Sequence, residues 1–325
     1  MSISDNSQRD DARSIGFLLT DGFALMSYAS IVEPFRAANR LSGKELYSWT
    51  NLSVRGGYVS ASAETAILTR GIQDLGAQPD IVFVFAAGDP AQFRDRDCFA
   101  WLRATARRGT MIAGVSGGPY LLARAGLLTG YRATIHWEHA ETLLEEFPGL
   151  HLEAGLYVID RDRVSCAGGT AGLDLAIDLI GRDHGDALAR QVADWFIRTD
   201  DRQPGQSQRA TIENRYGTTN DRLVRMLAAM ESSIEDPLPA ASLAGETGIS
   251  TRQLERLCRR ELGATVAQTG LAIRLDHAAR LLRSTGMQVA DVAVACGFAS
   301  LSHFSRTYRG RFGHSPGKSR QGPDR

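Results

Sequence analysis

The chain of 325 residues has only four cysteines, Cys98, Cys166, Cys258 and Cys296. They lie far apart and form no CxxC pair, which argues against both a zinc site and a disulfide framework. They read as small buried apolar residues in a reducing cytoplasm. No stretch approaches the roughly 18 uncharged apolar residues of a membrane span, so no membrane partner is expected. The first dozen residues, MSISDNSQRDDA, lack the apolar core of a secretory signal, and residues 1–13 read as a disordered tail. Net charge is missing too, since 37 basic residues balance 37 acidic ones.

That balance hides an asymmetry. Residues 1–206 hold 26 acidic and 20 basic side chains, whereas 207–325 hold 17 basic and 11 acidic. An acidic front and a basic back suggest two jobs, the back being a candidate for phosphate backbones.

The front half alternates between two periodicities. SIGFLL (14–19), DIVFVF (80–85) and the run 110–115 read as buried strands, and LYVI (156–159) with VSC (164–166) as a short strand pair. Residues 28–41, 100–108 and 171–180 read as helices. The alternation predicts an α/β domain over 14–199, doubly wound with a mostly parallel sheet. DDRQPGQSQR (200–209) opens a polar linker that extends to about residue 220. Beyond it only helical periodicity remains, over 221–232, 239–246, 251–261, 266–284, 289–296 and 300–311, which predicts an all-α domain from 221 to 325.

Two segments of that domain share one plan. A short helix leads to a turn at Gly248-Ile249, an N-cap candidate at Ser250, and a helix carrying Thr251, Arg252, Gln253 and Arg256. A second short helix leads to Cys296-Gly297-Phe298, then Ser300, then a helix carrying Ser302, His303, Arg306 and Arg309. Each is a helix-turn-helix pattern. Such a second helix lies in the major groove with its N-terminal residues toward base edges. Two in tandem would read two groove segments about 10 bp apart on double-stranded operator DNA.

VADVAVACGFASLSHFSRTYRGRFGHSPGKSR (289–320) resembles the signature of AraC/XylS-type transcriptional regulators at Ala293, Gly297, Phe298, Ser300, Phe304, Arg306, Tyr308, Arg309, Gly313, Ser315, Pro316 and Arg320. Ser319 departs from the pattern, standing where an aromatic is usual, and implies looser C-terminal packing. Residues 249–282 are similar to the same family's first motif and linker helix.

The stretch GVSGG (114–118) matches G-x-S-x-G, the pattern of a nucleophile elbow. Residues 112–139 resemble the elbow region of class I glutamine-amidotransferase-like (PfpI-type, flavodoxin-like) domains, whose hydrolytic members carry cysteine at the position of Ser116. EPFRAAN (33–39) and CAGGTAGLDLAIDLI (166–180) are similar to such domains when fused to AraC-type modules. The combination implies a regulator of the GlxA type, similar to those that sense quaternary amines such as glycine betaine or carnitine, or amino acids such as arginine.

A serine is a weak nucleophile without a base within about 3 Å. Gly117 supplies none. His136, His139, His151 and His184 are candidates, and His184 with Asp174 or Asp178 stands in the wrong chain order for a hydrolase triad. No catalytic residue, metal or cofactor is therefore expected. Amides at a helix start favour a carboxylate, so Ser116, Gly117 and Gly118 are expected to cradle one. The ligand's cationic end would need aromatic faces or an acid: Trp137, Tyr28, Phe85 and Glu33 are candidates, with His136 as a possible donor. The bland alternatives stand beside these: Trp137 as core, Glu33 as a surface acid, and His136 as a structural histidine. Three classes remain open: a ligand-responsive regulator, most simply a homodimeric activator of a catabolic operon that contacts RNA polymerase; a serine hydrolase; and an architectural DNA binder.

Overall fold

The structure, a computed structural model, describes residues 12–200 and 202–319. It divides into two compact units, Met1–Gln208 and Arg209–Arg325. The first contains β1 (Arg13–Leu19), α1 (Leu25–Ser42), β2 (Tyr47–Ser53), β3 (Gly57–Ser60), β4 (Ala66–Gly71), β5 (Ile81–Ala86), α2 (Arg96–Arg107), β6 (Met111–Ser116) and α3 (Gly118–Arg124). It continues through β7 (Arg132–Ala133), α4 (Ala140–Glu146), β8 (His151–Leu152), β9 (Tyr157–Asp160), β10 (Arg163–Cys166), α5 (Ala171–His184) and α6 (Asp186–Trp195).

Eight strands form one sheet in the order β3-β4-β2-β1-β5-β6-β10-β9. The six inner strands pair in parallel, and antiparallel hairpin partners close both ends. Alternation along β5 explains the two layers. Ile81, Phe83 and Phe85 join the core under α1, α5 and α6, while Val82, Val84 and Ala86 join the core under α2 and α3. The doubly wound, mostly parallel α/β fold is thus present.

Some boundaries differ from the sequence reading. Arg13 is not tail but the first residue of β1, bonded at 2.6 Å to Asp183; residues 1–11 lie outside the described residues. Strands β2 to β4 and helix α6 went unread. β3 and β4 are half-exposed edge strands whose polar faces blur the alternation. The 200–220 segment read as a linker contains the boundary between the units, after Gln208, but it carries structure of its own. Arg202, Pro204 and Gln208 are hydrogen-bonded to the body of the first unit, and Ile212–Tyr216 forms a helix, α7, with Arg215 and Tyr216 bonded to Glu231.

The second unit continues with α8 (Asp221–Ser232), α9 (Ala240–Thr247), α10 (Thr251–Leu262), α11 (Val266–Ser284), α12 (Val289–Ala295), α13 (Leu301–Phe312) and α14 (Pro316–Ser319). It holds two small cores. The first gathers Leu223, Leu227, Leu243, Leu254 and Cys258, the second Val292, Cys296, Phe298, Phe304 and Tyr308. Helix α11 serves both: Val266 and Ile273 enter the first core, Leu275 to Leu282 the second.

Candidate functional site: a serine elbow and a tandem helix-turn-helix

At the elbow the glycines answer to packing. A Cβ on Gly114 would lie 2.6 Å from the Pro119 nitrogen, and one on Gly118 would lie 2.0 Å from the Val84 carbonyl oxygen. Both positions therefore exclude side chains and let α3 sit directly on the sheet. Ser116 adopts φ +60, a left-handed conformation that costs a non-glycine residue roughly 1–2 kcal/mol. Its side chain is almost buried, yet its hydroxyl has no hydrogen-bond partner among the described residues.

The turn is braced by its own backbone. The Gly117 amide donates to the Ala86 carbonyl at 2.8 Å, and the His136 amide donates to the Ser116 carbonyl at 3.3 Å. Ser27, on α1, accepts from the Gly169 amide at 2.8 Å. A Cβ on Gly168 (φ +84) would lie 2.7 Å from Ser27 Oγ and 2.8 Å from Ser116 Cβ. Ser27 and the Gly168-Gly169 turn thus close one side of the elbow; Ser27 went unread because a lone serine in a helix carries no sequence signal.

The predicted ligand residues divide. The cradle expected of Ser116, Gly117 and Gly118 is corrected at Gly117, whose N–H is donated to the Ala86 carbonyl. Phe85 and Tyr28 are corrected from cage walls to core. Their rings stand edge-on to one another at 5.7 Å, packed with Phe17 and Phe23, and the Tyr28 hydroxyl donates to Asn51. Glu33 is a half-exposed surface acid bonded to Arg36 at 2.6 Å. His136 and Trp137 do follow the elbow directly, their rings 5.3 Å apart. His136 Nδ1 accepts from the Glu138 amide at 3.3 Å and so caps the short 137–139 turn.

Burial disfavours the charged form of both imidazoles here. Burial pushes the His136 pKa down, and burial followed by the proximity of His136 pushes that of His139 down to about 4. Atoms able to ligate a metal on His136, Glu138 and His139 lie within 4.8 Å of one another, a grouping the sequence reading did not make. No histidine nitrogen is bonded to Ser116 Oγ among the described residues. Asp174 is bonded to Arg198 and Arg202, and Asp178 to Tyr157 and Arg182; the His184 ring packs on Tyr47. Among the described residues no triad converges on the serine.

In the second unit, α10 and α13 are built alike. Thr251–Val266 and Leu301–Pro316 repeat the same pattern of buried and exposed positions, residue by residue. Leu254 and Cys258 point inward on α10, Phe304 and Tyr308 on α13. Thr251, Arg252, Gln253 and Arg256 are exposed on one, Ser302, His303, Arg306 and Arg309 on the other. Arg252, Arg256, Arg306 and Arg309 have no ion-pair partner among the described residues. Ser250 and Gln253 form a reciprocal capping box, and Ser300 Oγ accepts from the His303 amide. Ser250 and Ser300 thus start the two helices through their side-chain oxygens. Gly248 and Gly297 both stand at φ near +70 and end the preceding short helices. Ser319 does not loosen the C-terminus as expected: its hydroxyl bonds the Tyr308 hydroxyl at 2.6 Å.

Comparison with known proteins agrees with this division. Residues 13–182 match the model of the DJ-1/PfpI family, and residues 243–322 that of a helix-turn-helix domain. The chain is 41% identical over 304 residues to the HTH-type transcriptional regulator CdhR of Pseudomonas aeruginosa, covering 94% of this chain and 90% of that one. It is 38% identical over 317 residues to the HTH-type transcriptional regulator GlxA of Rhizobium meliloti, covering 97% and 98%. The solved structure of an AraC family transcriptional regulator from Pseudomonas putida superposes with a TM-score of 0.50 at 25% identity, covering 56% of this chain and 98% of that one. The chain belongs to the family of DNA-binding transcriptional regulators that join a DJ-1/PfpI domain to an AraC-type helix-turn-helix domain.

Proposed function

We propose that the first unit binds a small zwitterion, of the quaternary-amine or amino-acid class, and that occupancy changes how the second unit engages its operator. The observation that carries this reading is Ser116: a hydroxyl held at φ +60, with neither a hydrogen-bond partner nor a base bonded to it among the described residues. Such a serine suits ligand binding better than turnover, so no catalysis is proposed. A ligand carboxylate would meet the Ser116 hydroxyl and the Gly118 amide, and Trp137 would face the cationic end, with His136 as neutral donor. Ser250, Thr251, Arg252, Gln253 and Arg256 on α10 and its cap, and Ser300, Ser302, His303, Arg306 and Arg309 on α13 and its cap, would contact the operator. The protein would act in the cytoplasm as a homodimeric activator of a catabolic operon, in contact with RNA polymerase.

A thermal-shift screen of the full chain tests the effector. The panel is glycine betaine, carnitine, choline, dimethylglycine, arginine and the other amino acids. A ligand at about 100 times its dissociation constant adds ~2.7 kcal/mol of stability. For a unit of this size that raises the midpoint by several degrees. A hit confined to one chemical class, lost in Ser116→Ala, is the expected result. A flat screen would favour an architectural DNA binder, and turnover lost in Ser116→Ala a hydrolase.

A further inference from the structure

Residues 203–207 run exposed along the surface of the first unit. Gln208, the last residue of that unit, ends this exposure by using both halves of its amide. The two N–H bonds of its Nε2 are shared among three acceptors, the Ile135 carbonyl at 2.9 Å, the Gly155 carbonyl at 2.8 Å and Thr134 Oγ1 at 3.0 Å. Its Oε1 accepts from the Trp137 amide at 2.8 Å. Upstream, the Pro204 carbonyl accepts from the Leu156 amide at 2.7 Å, and Arg202 reaches the almost fully buried Asp174 at 2.5 Å. A Cβ on Gly155 would lie 2.6 Å from that Pro204 oxygen, so Gly155 is a packing requirement of the strap.

The loop that Gln208 grips is the one that braces the elbow. The His136 amide bonds the Ser116 carbonyl, and the next amide, that of Trp137, bonds Gln208. Two consecutive peptide N–H groups therefore join the serine turn to the residue that precedes the DNA-binding unit in the chain. Only a primary amide of this length both donates to two carbonyls and accepts from an N–H at one place.

We infer that Gln208 is a positioning residue that passes the state of the Ser116 elbow to the DNA-binding unit. Ligand contacts with the hydroxyl of Ser116, or with Trp137, shift the 134–137 backbone. That shift makes or breaks the Gln208 bonds and so holds or frees the strap before Arg209. The inference rests on the effector reading above for its ligand, but not for its coupling. A ligand changes operator occupancy here only through its preference for one of the two strap states.

The test measures operator affinity of the full chain, with and without glycine betaine, for wild type, Gln208→Ala and Gln208→Glu. Glutamate keeps the length but sets a carboxylate against two carbonyls. The expected result is a wild-type response of about tenfold or more that falls below about twofold in both variants. Their affinity for glycine betaine, read by calorimetry, stays within about threefold of wild type. A merely structural Gln208 would lower both affinities and leave the response intact, and an intact response overturns the inference. Where wild type itself ignores glycine betaine, that compound is excluded as the effector and a ligand-free cycle decides the coupling. Ser116→Asn adds bulk at a position whose left-handed backbone asparagine tolerates. Its effect on operator affinity should differ by about threefold or more between the Gln208 and Gln208→Ala backgrounds. Equal effects in the two backgrounds overturn the coupling.

Discussion

A methyl group on Gly297 would lie 2.7 Å from the carbonyl oxygen of Ile234. The second turn of the tandem motif is therefore constrained twice, by its backbone at φ +69 and by the chain lying against it. Gly248, at φ +68, meets nothing within 4 Å. Gly248→Ala should cost about 1–2 kcal/mol from backbone strain alone. Gly297→Ala should cost clearly more, because a neighbouring main chain must also move. Denaturant unfolding of both variants, at unchanged m-value, checks the order.

The exposed arginines make a second prediction, on binding rather than stability. Arg252→Ala and Arg306→Ala should each lower specific operator affinity by about 1–3 kcal/mol and relax base preference. Arg256→Ala, equivalent in position to Arg306 in the repeat, should behave as Arg306→Ala does, whereas Arg309→Ala, deeper along α13, should weaken all sequences alike and reduce the salt slope by about one. Fluorescence anisotropy across a salt series separates the two classes, and circular dichroism should show the fold unchanged in all four.

Acid should loosen the loop after the elbow. An exposed imidazole titrates near 6.5, while His139 in the fold is lowered to about 4. Between those values the unfolded chain binds more protons, so stability falls as pH falls. The contribution is complete above pH 6.5 and lost as the pH falls toward about 4, worth about 3 kcal/mol across that window. His139→Leu should flatten this part of the profile, measured as the midpoint of the first unit from pH 7 to pH 4.5. An unchanged slope would assign the acid sensitivity to other groups.

Asp174 is 3% exposed and bonded to Arg198 at 2.6 Å and Arg202 at 2.5 Å. Asp174→Ala removes the carboxylate from a largely buried pair, at a cost on the order of 3 kcal/mol. The midpoint of the first unit should fall by roughly 6–12 °C. Limited proteolysis should then cut within 198–207, the stretch this carboxylate anchors.

The sequence alone determined the class and order of the two units. Buried parallel strands are continuous apolar runs, and they showed at 14–19 and 80–85. The helix-turn-helix pairs depend on local chemistry, an N-cap serine, a glycine turn and a stripe at three- and four-residue spacing, so α8 and α11 fell where periodicity placed them. Tertiary structure decided whatever depends on which backbone lies against which. It turned Tyr28 and Phe85 into core, because α1 packs over the strand face that carries Phe85. It engaged the Gly117 amide with Ala86, thirty-one positions earlier in the chain. It also converted a polar, proline-containing linker into a strap, since the partners of Gln208 lie at residues 134–137 and 155. Side-chain type and local spacing are written along the chain, whereas hydrogen bonds between distant segments exist only once the sheet has brought those segments together.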